Sequence, residues 1–140
     1  MSVFFYTFRT NKFVGEIERV LGQEVYIVDK YARDFDRLVD VVKLSGAVKV
    51  VGIGISKRYT RSETTAYNKL GRHEIVKGGP DQLSLSTPTD SCIGQDNRMT
   101  FGPCNYVAFR LAVTLAGMRH YFMHIKPDDI EKLQAEALLD

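Results

Sequence analysis

The stretch Ala47-Val48-Lys49-Val50-Val51-Gly52-Ile53-Gly54-Ile55 is a nearly unbroken β-branched run. A strand with one wet face alternates apolar and polar residues, so a run apolar almost throughout predicts a strand covered on both faces in a parallel sheet. Upstream, Phe35, Leu38, Val39 and Val42 repeat at helical spacing between Ala32 and Leu44, and Gly46 closes that helix. Val25 to Val28 reads as a short strand. Before it, Asn11 is placed to cap a helix that carries Phe13, Val14, Ile17, Val20 and Leu21 on one face and stops at Gly22. Val3 to Phe8 is a first strand, rich in aromatic and β-branched residues. Strand, helix, strand, helix, strand is the alternation of an α/β fold, with right-handed crossovers.

Downstream, Ser56 to Thr100 is rich in Gly, Ser, Thr, Asp and Pro, with one strand candidate at Glu74-Ile75-Val76. A connection this long inside a compact domain points to function. From Cys104 to Met118 the residues Val107, Ala108, Leu111, Ala112, Leu115 and Ala116 are apolar and Arg110 is the only charge, which predicts a largely buried helix. Tyr121 to Ile125 reads as an interior strand. Pro127-Asp128-Asp129 then opens a last amphipathic helix with Ile130, Leu133, Ala137 and Leu138 inward.

A chain of 140 residues, 44% hydrophobic and 26% charged, is expected to form one domain (1–140) of the soluble class. A net charge of +2 with interspersed signs argues against nucleic acid, which needs a concentrated basic patch. The one basic cluster, Lys57-Arg58-Tyr59-Thr60-Arg61, reads as a solvated loop or as a hold for an anionic group of a substrate. The apolar N-terminal run is too short for a membrane span or signal peptide. Cys92 and Cys104 make no disulfide framework. Reduced thiols in the cytoplasm are the expectation.

Three residues carry candidate chemistry. Pro103 suits the first turn of a helix, which places Cys104 at its N-terminal end. There, unpaired N–H groups and the helix dipole favour a thiolate. His124 lies in the strand that follows, near the carboxyl edge where α/β folds bind ligands. A Cys and a His so placed form the nucleophile and base of a cysteine hydrolase. Glu63 is a carboxylate that could orient the imidazole. Taken singly, Cys104 and His124 also fit a packed core, and Glu63 a solvated surface. A zinc site from Cys92, Cys104, His120 and His124 has the right ligand types but the wrong spacing. Zinc cysteines sit two to four residues apart, and two histidines four apart on a strand are roughly 13 Å from each other. Gly52-Ile53-Gly54 lacks the third glycine of a dinucleotide fingerprint.

Read together, these motifs resemble the pyroglutamyl peptidases, also called pyrrolidone-carboxyl peptidases. That family carries Glu-x-x-Ala-x-Asn after a glycine-bearing central strand, a Cys-Asn pair opening a helix, and a His ending a strand just before a Pro. Here they are Glu63-Thr64-Thr65-Ala66-Tyr67-Asn68, Cys104-Asn105 and His124-Ile125-Lys126-Pro127, in the same order. The family's Gly-Phe-x-Pro-Phe-Gly loop after the first strand is replaced by Thr7-Phe8-Arg9-Thr10-Asn11.

The resemblance implies a three-layer α/β/α sandwich, phosphorylase/hydrolase-like, with a mainly parallel or mixed sheet. It implies a cysteine peptidase that removes N-terminal pyroglutamate from a peptide or small amide. Cys104 would attack as thiolate, His124 would carry the proton and Glu63 would orient it. Phe8 and Phe13 would hold the substrate ring, and Arg72, one position off the family's arginine, would help the oxyanion. Neither metal nor organic cofactor is called for, and a homo-oligomer stays open. The alternative is an inactive relative that keeps the fold as a binding or assembly module.

Overall fold

The computed structural model describes residues 2–88 and 93–133. The β-branched run forms β3 (Lys49–Ile55), buried along nearly its whole length. It pairs in parallel with β1 (Val3–Phe8) on one side and β8 (Arg119–Ile125) on the other. A six-stranded sheet results, in the order β2 (Tyr26–Val28), β1, β3, β8, β4 (Arg61–Glu63), β7 (Gly94–Asp96). Its first four strands are parallel, and β4 runs antiparallel to β8. β5 (Thr65–Tyr67) and β6 (Gln82–Ser84) form a separate antiparallel pair.

Strand side chains alternate between faces, and each face takes its own helices. Tyr6, Val50 and Phe122 pack with α2 (Phe35–Ser45) and α3 (Pro103–Thr114) on one face. Phe5, Val51, Ile53, Tyr121, Met123 and Ile125 pack on the other with α1 (Val14–Leu21) and a 3-10 helix at Pro127–Lys132. The architecture is therefore the three-layer α/β/α sandwich that the resemblance implies. Each fully buried Ile, Leu or Phe in these layers contributes roughly 1.5–3 kcal/mol. Gly22 and Gly46 end α1 and α2 in the left-handed conformation, at φ 72 and φ 68.

Four expectations need correction. Asn11 does not cap α1: Phe13 stands at the cap, and Asn11 Oδ1 instead accepts from the Phe13 N–H at 2.8 Å. Glu74-Ile75-Val76 is no strand, because the Ile75 and Val76 N–H groups donate to the Asn68 side chain and the Val76 carbonyl accepts from it. The segment expected to be loop contains β4 to β7. After Pro127 the described turns are 3-10, with Ile130 and Leu133 buried, while Ala137, Leu138 and Cys92 lie outside the described residues. Among the described residues no helix is long and apolar enough to cross a membrane.

Candidate active site

His124 sits at the carboxyl end of β8, paired in register with Gly54 of β3. β4 lies alongside β8 with Arg61 opposite His124. Glu63, two residues on, points to the same face as Arg61, as strand geometry requires. The His124 Nδ1 meets Glu63 Oε2 at 2.6 Å. Glu63 is fully buried, and Arg61 Nε donates to the same oxygen at 2.8 Å. Glu63 Oε1 is buried with no partner. One carboxylate oxygen thus meets both the imidazole and the guanidinium.

Cys104 enters from α3. Pro103 occupies the first turn, where its missing N–H costs nothing. Asn105 anchors that turn: its Oδ1 accepts from Tyr67 N at 2.7 Å, and its Nδ2 donates to the Tyr67 and Lys69 carbonyls at 2.8 and 2.9 Å. The Cys-Asn pair therefore divides its work, with the asparagine tying the helix start to β5 and the cysteine facing the sheet.

Gly54 is where thiol and imidazole converge. A Cβ there would lie 3.1 Å from His124 Nε2 and 3.4 Å from Cys104 Sγ, so both groups border the space its missing side chain leaves. Among the described residues no hydrogen bond joins sulfur and ring; the two flank one vacant notch, with Glu63 behind the imidazole. Phe122 and Tyr59 hold the His124 ring at centroid distances of 5.1 and 5.8 Å.

The thiol departs from expectation. Burial first, and the Glu63 charge second, push Cys104 up to about 12, and the bond from its own backbone N–H opposes them without prevailing. That N–H bond is outweighed, because the sulfur loses its hydration and feels the Glu63 charge from beyond the imidazole. Both causes favour the neutral thiol over the thiolate.

A cleft of about 410 Å³ opens over Cys104, lined among others by Thr7, Phe8, Asn11, Tyr31 and Pro103. Phe8 lines this cleft. Phe13 does not: it packs against the opposite core with α1, because the chain crosses the end of the sheet between Phe8 and that helix. Tyr31 is the other aromatic in the cleft lining, edge-on to Tyr106 at 5.1 Å. Its signal in the sequence was its place just past the carboxyl end of β2, at the ligand-binding edge of an α/β sheet. Arg72 also falls elsewhere. It is exposed in the turn closed by Leu70 and His73, outside the cleft lining. Arg61, expected with its basic run to be solvated or to hold a substrate anion, instead turns onto Glu63.

A second hollow, of about 540 Å³, lies by β2 and is lined by Glu18, Glu24 and Tyr26 among others, with no thiol or imidazole. His120 bonds Leu115 O at 2.7 Å through Nε2, and burial lowers its pKa. Among the described residues no cluster of three His, Cys, Asp or Glu could hold a metal.

No protein-family model matches the chain, and no curated protein matches it. Solved structures do. Pyroglutamyl peptidase I from Bacillus amyloliquefaciens is 14% identical with a TM-score of 0.74, over 94% of this chain and 84% of that one. A mutant pyrrolidone carboxyl peptidase from Pyrococcus furiosus is 15% identical with a TM-score of 0.71, over 90% of this chain and 81% of that one. The pyrrolidone carboxyl peptidase of Thermococcus litoralis gives 15% and 0.71, over 90% and 77%. At such identities the likeness is one of fold, and the fold of this chain is that of the pyroglutamyl peptidases.

Proposed function

We propose that this chain is a cysteine hydrolase that removes N-terminal pyroglutamate from peptides. The observation that carries the reading is the Gly54 notch, bordered by Cys104 Sγ and His124 Nε2 while Glu63 binds the far side of the ring. The likeness of fold to pyroglutamyl peptidases supports the choice of acyl group.

Because the thiol is neutral at rest, its proton passes to His124 Nε2 as Sγ attacks the carbonyl carbon of the amide that follows pyroglutamate. Glu63 accepts the Nδ1–H bond, which fixes the tautomer and stabilises the imidazolium. The Asn105 N–H, in a helix turn that offers it no helical carbonyl, and the Cys104 N–H, released from the sulfur as Sγ attacks, are the donors for the oxyanion. The imidazolium then gives its proton to the departing amine as the C–N bond breaks, leaving a thioester on Cys104. Water, deprotonated by His124, attacks that thioester, and pyroglutamate leaves with the thiol restored. Cys104 makes and breaks the acyl bond, His124 carries each proton, and water is the second nucleophile. A reducing compartment such as the cytoplasm keeps the thiol available.

Cys104→Ala and His124→Ala should each lower kcat/KM on a pyroglutamyl reporter amide by at least about a thousandfold. Circular dichroism should show the folded state kept. Turnover unchanged in either variant refutes the scheme, and a wild-type protein inert toward the reporter would favour the binding module.

A further inference from the structure

The fold takes the basic run of residues 57–61 apart. Arg61 turns inward onto Glu63 and the Tyr59 ring. Arg58 is exposed, and of the five only Lys57 lines the cleft over Cys104. The other charges of that cleft, Arg9 and Asp29, neutralise each other at 2.9 Å, with Arg33 at 3.9 Å from Asp29's second oxygen. Lys57 has no ion pair among the described residues. Among the described residues the cleft therefore presents one uncompensated positive charge, that of Lys57.

Its inner lining is neutral. Thr7 Oγ1 donates to the Ile53 carbonyl at 2.6 Å, Asn11 Nδ2 donates to Thr7 Oγ1 at 3.0 Å, and Phe8 and Tyr31 form the walls. An uncharged acyl group suits that interior, so the lysine is left to meet the leaving side. Lys57 follows Gly54 by three residues, at most about 10 Å of chain, a gap that its own four-carbon stem can partly span toward the sulfur.

We propose that Lys57 selects substrates whose leaving amine carries a carboxylate next to the scissile amide. This rests on the hydrolase reading and narrows it to short pyroglutamyl peptides. The carboxylate has two sources: the free C-terminus of a dipeptide, or an acidic side chain on the residue after pyroglutamate.

The test compares pyroglutamyl-alanine, its C-terminal amide, and pyroglutamyl-aspartic acid blocked as the C-terminal amide. At low ionic strength the wild-type kcat/KM should favour a carboxylate form over the neutral amide by roughly fivefold to tenfold. The preference should shrink with salt, vanish in Lys57→Gln and survive in Lys57→Arg. Preference for the first peptide alone identifies dipeptides as substrates, and preference for the third identifies an acidic residue. Equal turnover of all three, or a preference kept in Lys57→Gln, overturns the proposal. Calorimetric binding of the same peptides to Cys104→Ala separates this from the hydrolase reading. Tighter binding of a carboxylate form by a protein without turnover keeps Lys57 and sinks the hydrolase, whereas turnover without preference does the reverse. Neither turnover nor binding overturns both.

Discussion

Cys104, the proposed nucleophile, sits in surroundings that oppose its ionisation. Burial and the Glu63 carboxylate raise the thiol to about 12, so its thiolate fraction grows roughly tenfold per pH unit through the neutral and moderately alkaline range. Alkylation by iodoacetamide, followed by mass spectrometry on Cys104, should climb from pH 7 to 10 without a plateau. Glu63→Gln removes one of the two raising causes and should shift the curve to lower pH; a plateau near neutrality in the wild type would contradict this electrostatic account. Cys104 and His124 were legible because each sits where the α/β pattern puts chemistry, one at a helix start and one at a strand end. The thiol's environment was not legible, since it depends on Glu63, distant in the chain and brought close only by β4 pairing with β8. Arg61 was hidden for a similar reason. Composition makes it one of a solvated basic run, yet its side chain lies over Tyr59 at 3.8 Å and bonds Glu63.

At the scale of the element, β3 contributes two bare positions on one face, and they serve different ends. A Cβ on Gly52 would come within 2.5 Å of the Phe122 and Tyr6 rings, both fully buried, so the core must move to admit it. A Cβ on Gly54 would stand 3.0 to 3.4 Å from His124 and Cys104, closing the notch without colliding with the core. Gly52→Ala should therefore cost about 1–3 kcal/mol in denaturant melts. Gly54→Ala should stay within about 1 kcal/mol of wild type yet lose about a hundredfold in kcat on the reporter amide, as expected when reacting groups are displaced. Equal stability losses, or full activity in Gly54→Ala, would contradict the assignment. The long elements were readable because their periodicity is local: α2, β3 and β8 formed close to their expected spans, while α3 starts as expected but ends at Thr114, a turn before Met118. The three-residue strands β4 to β7 were not. Partners chosen by the tertiary fold define them, and Arg61-Ser62-Glu63 carries no apolar alternation to announce a strand. Conversely, Ile75 and Val76 have strand-forming side chains, but their N–H groups are taken by Asn68.

For the molecule as a whole, the sheet order sets the site. Parallel β1, β3 and β8 end at one edge, α3 returns its N-terminus to that edge, and antiparallel β4 delivers Glu63 beside β8. The βαβ alternation foretold the parallel half of this arrangement. The antiparallel addition came from the segment poorest in periodic signal, and there the family motif was the only guide to Glu63. The same topology explains why Phe13 and Arg72 fell outside the cleft: one travels with α1 to the opposite face, the other rides an exposed turn beyond β5. In the proposed reaction this assembly makes Cys104 an acyl acceptor. The most direct test is acid quench of the protein with a pyroglutamyl reporter ester during turnover, followed by intact and peptide mass spectrometry. The account predicts one pyroglutamyl group in thioester linkage on Cys104, absent in Cys104→Ala and lost on incubation with hydroxylamine. Reporter turnover with no adduct on Cys104 under conditions that trap it, or an adduct on another residue, would contradict it.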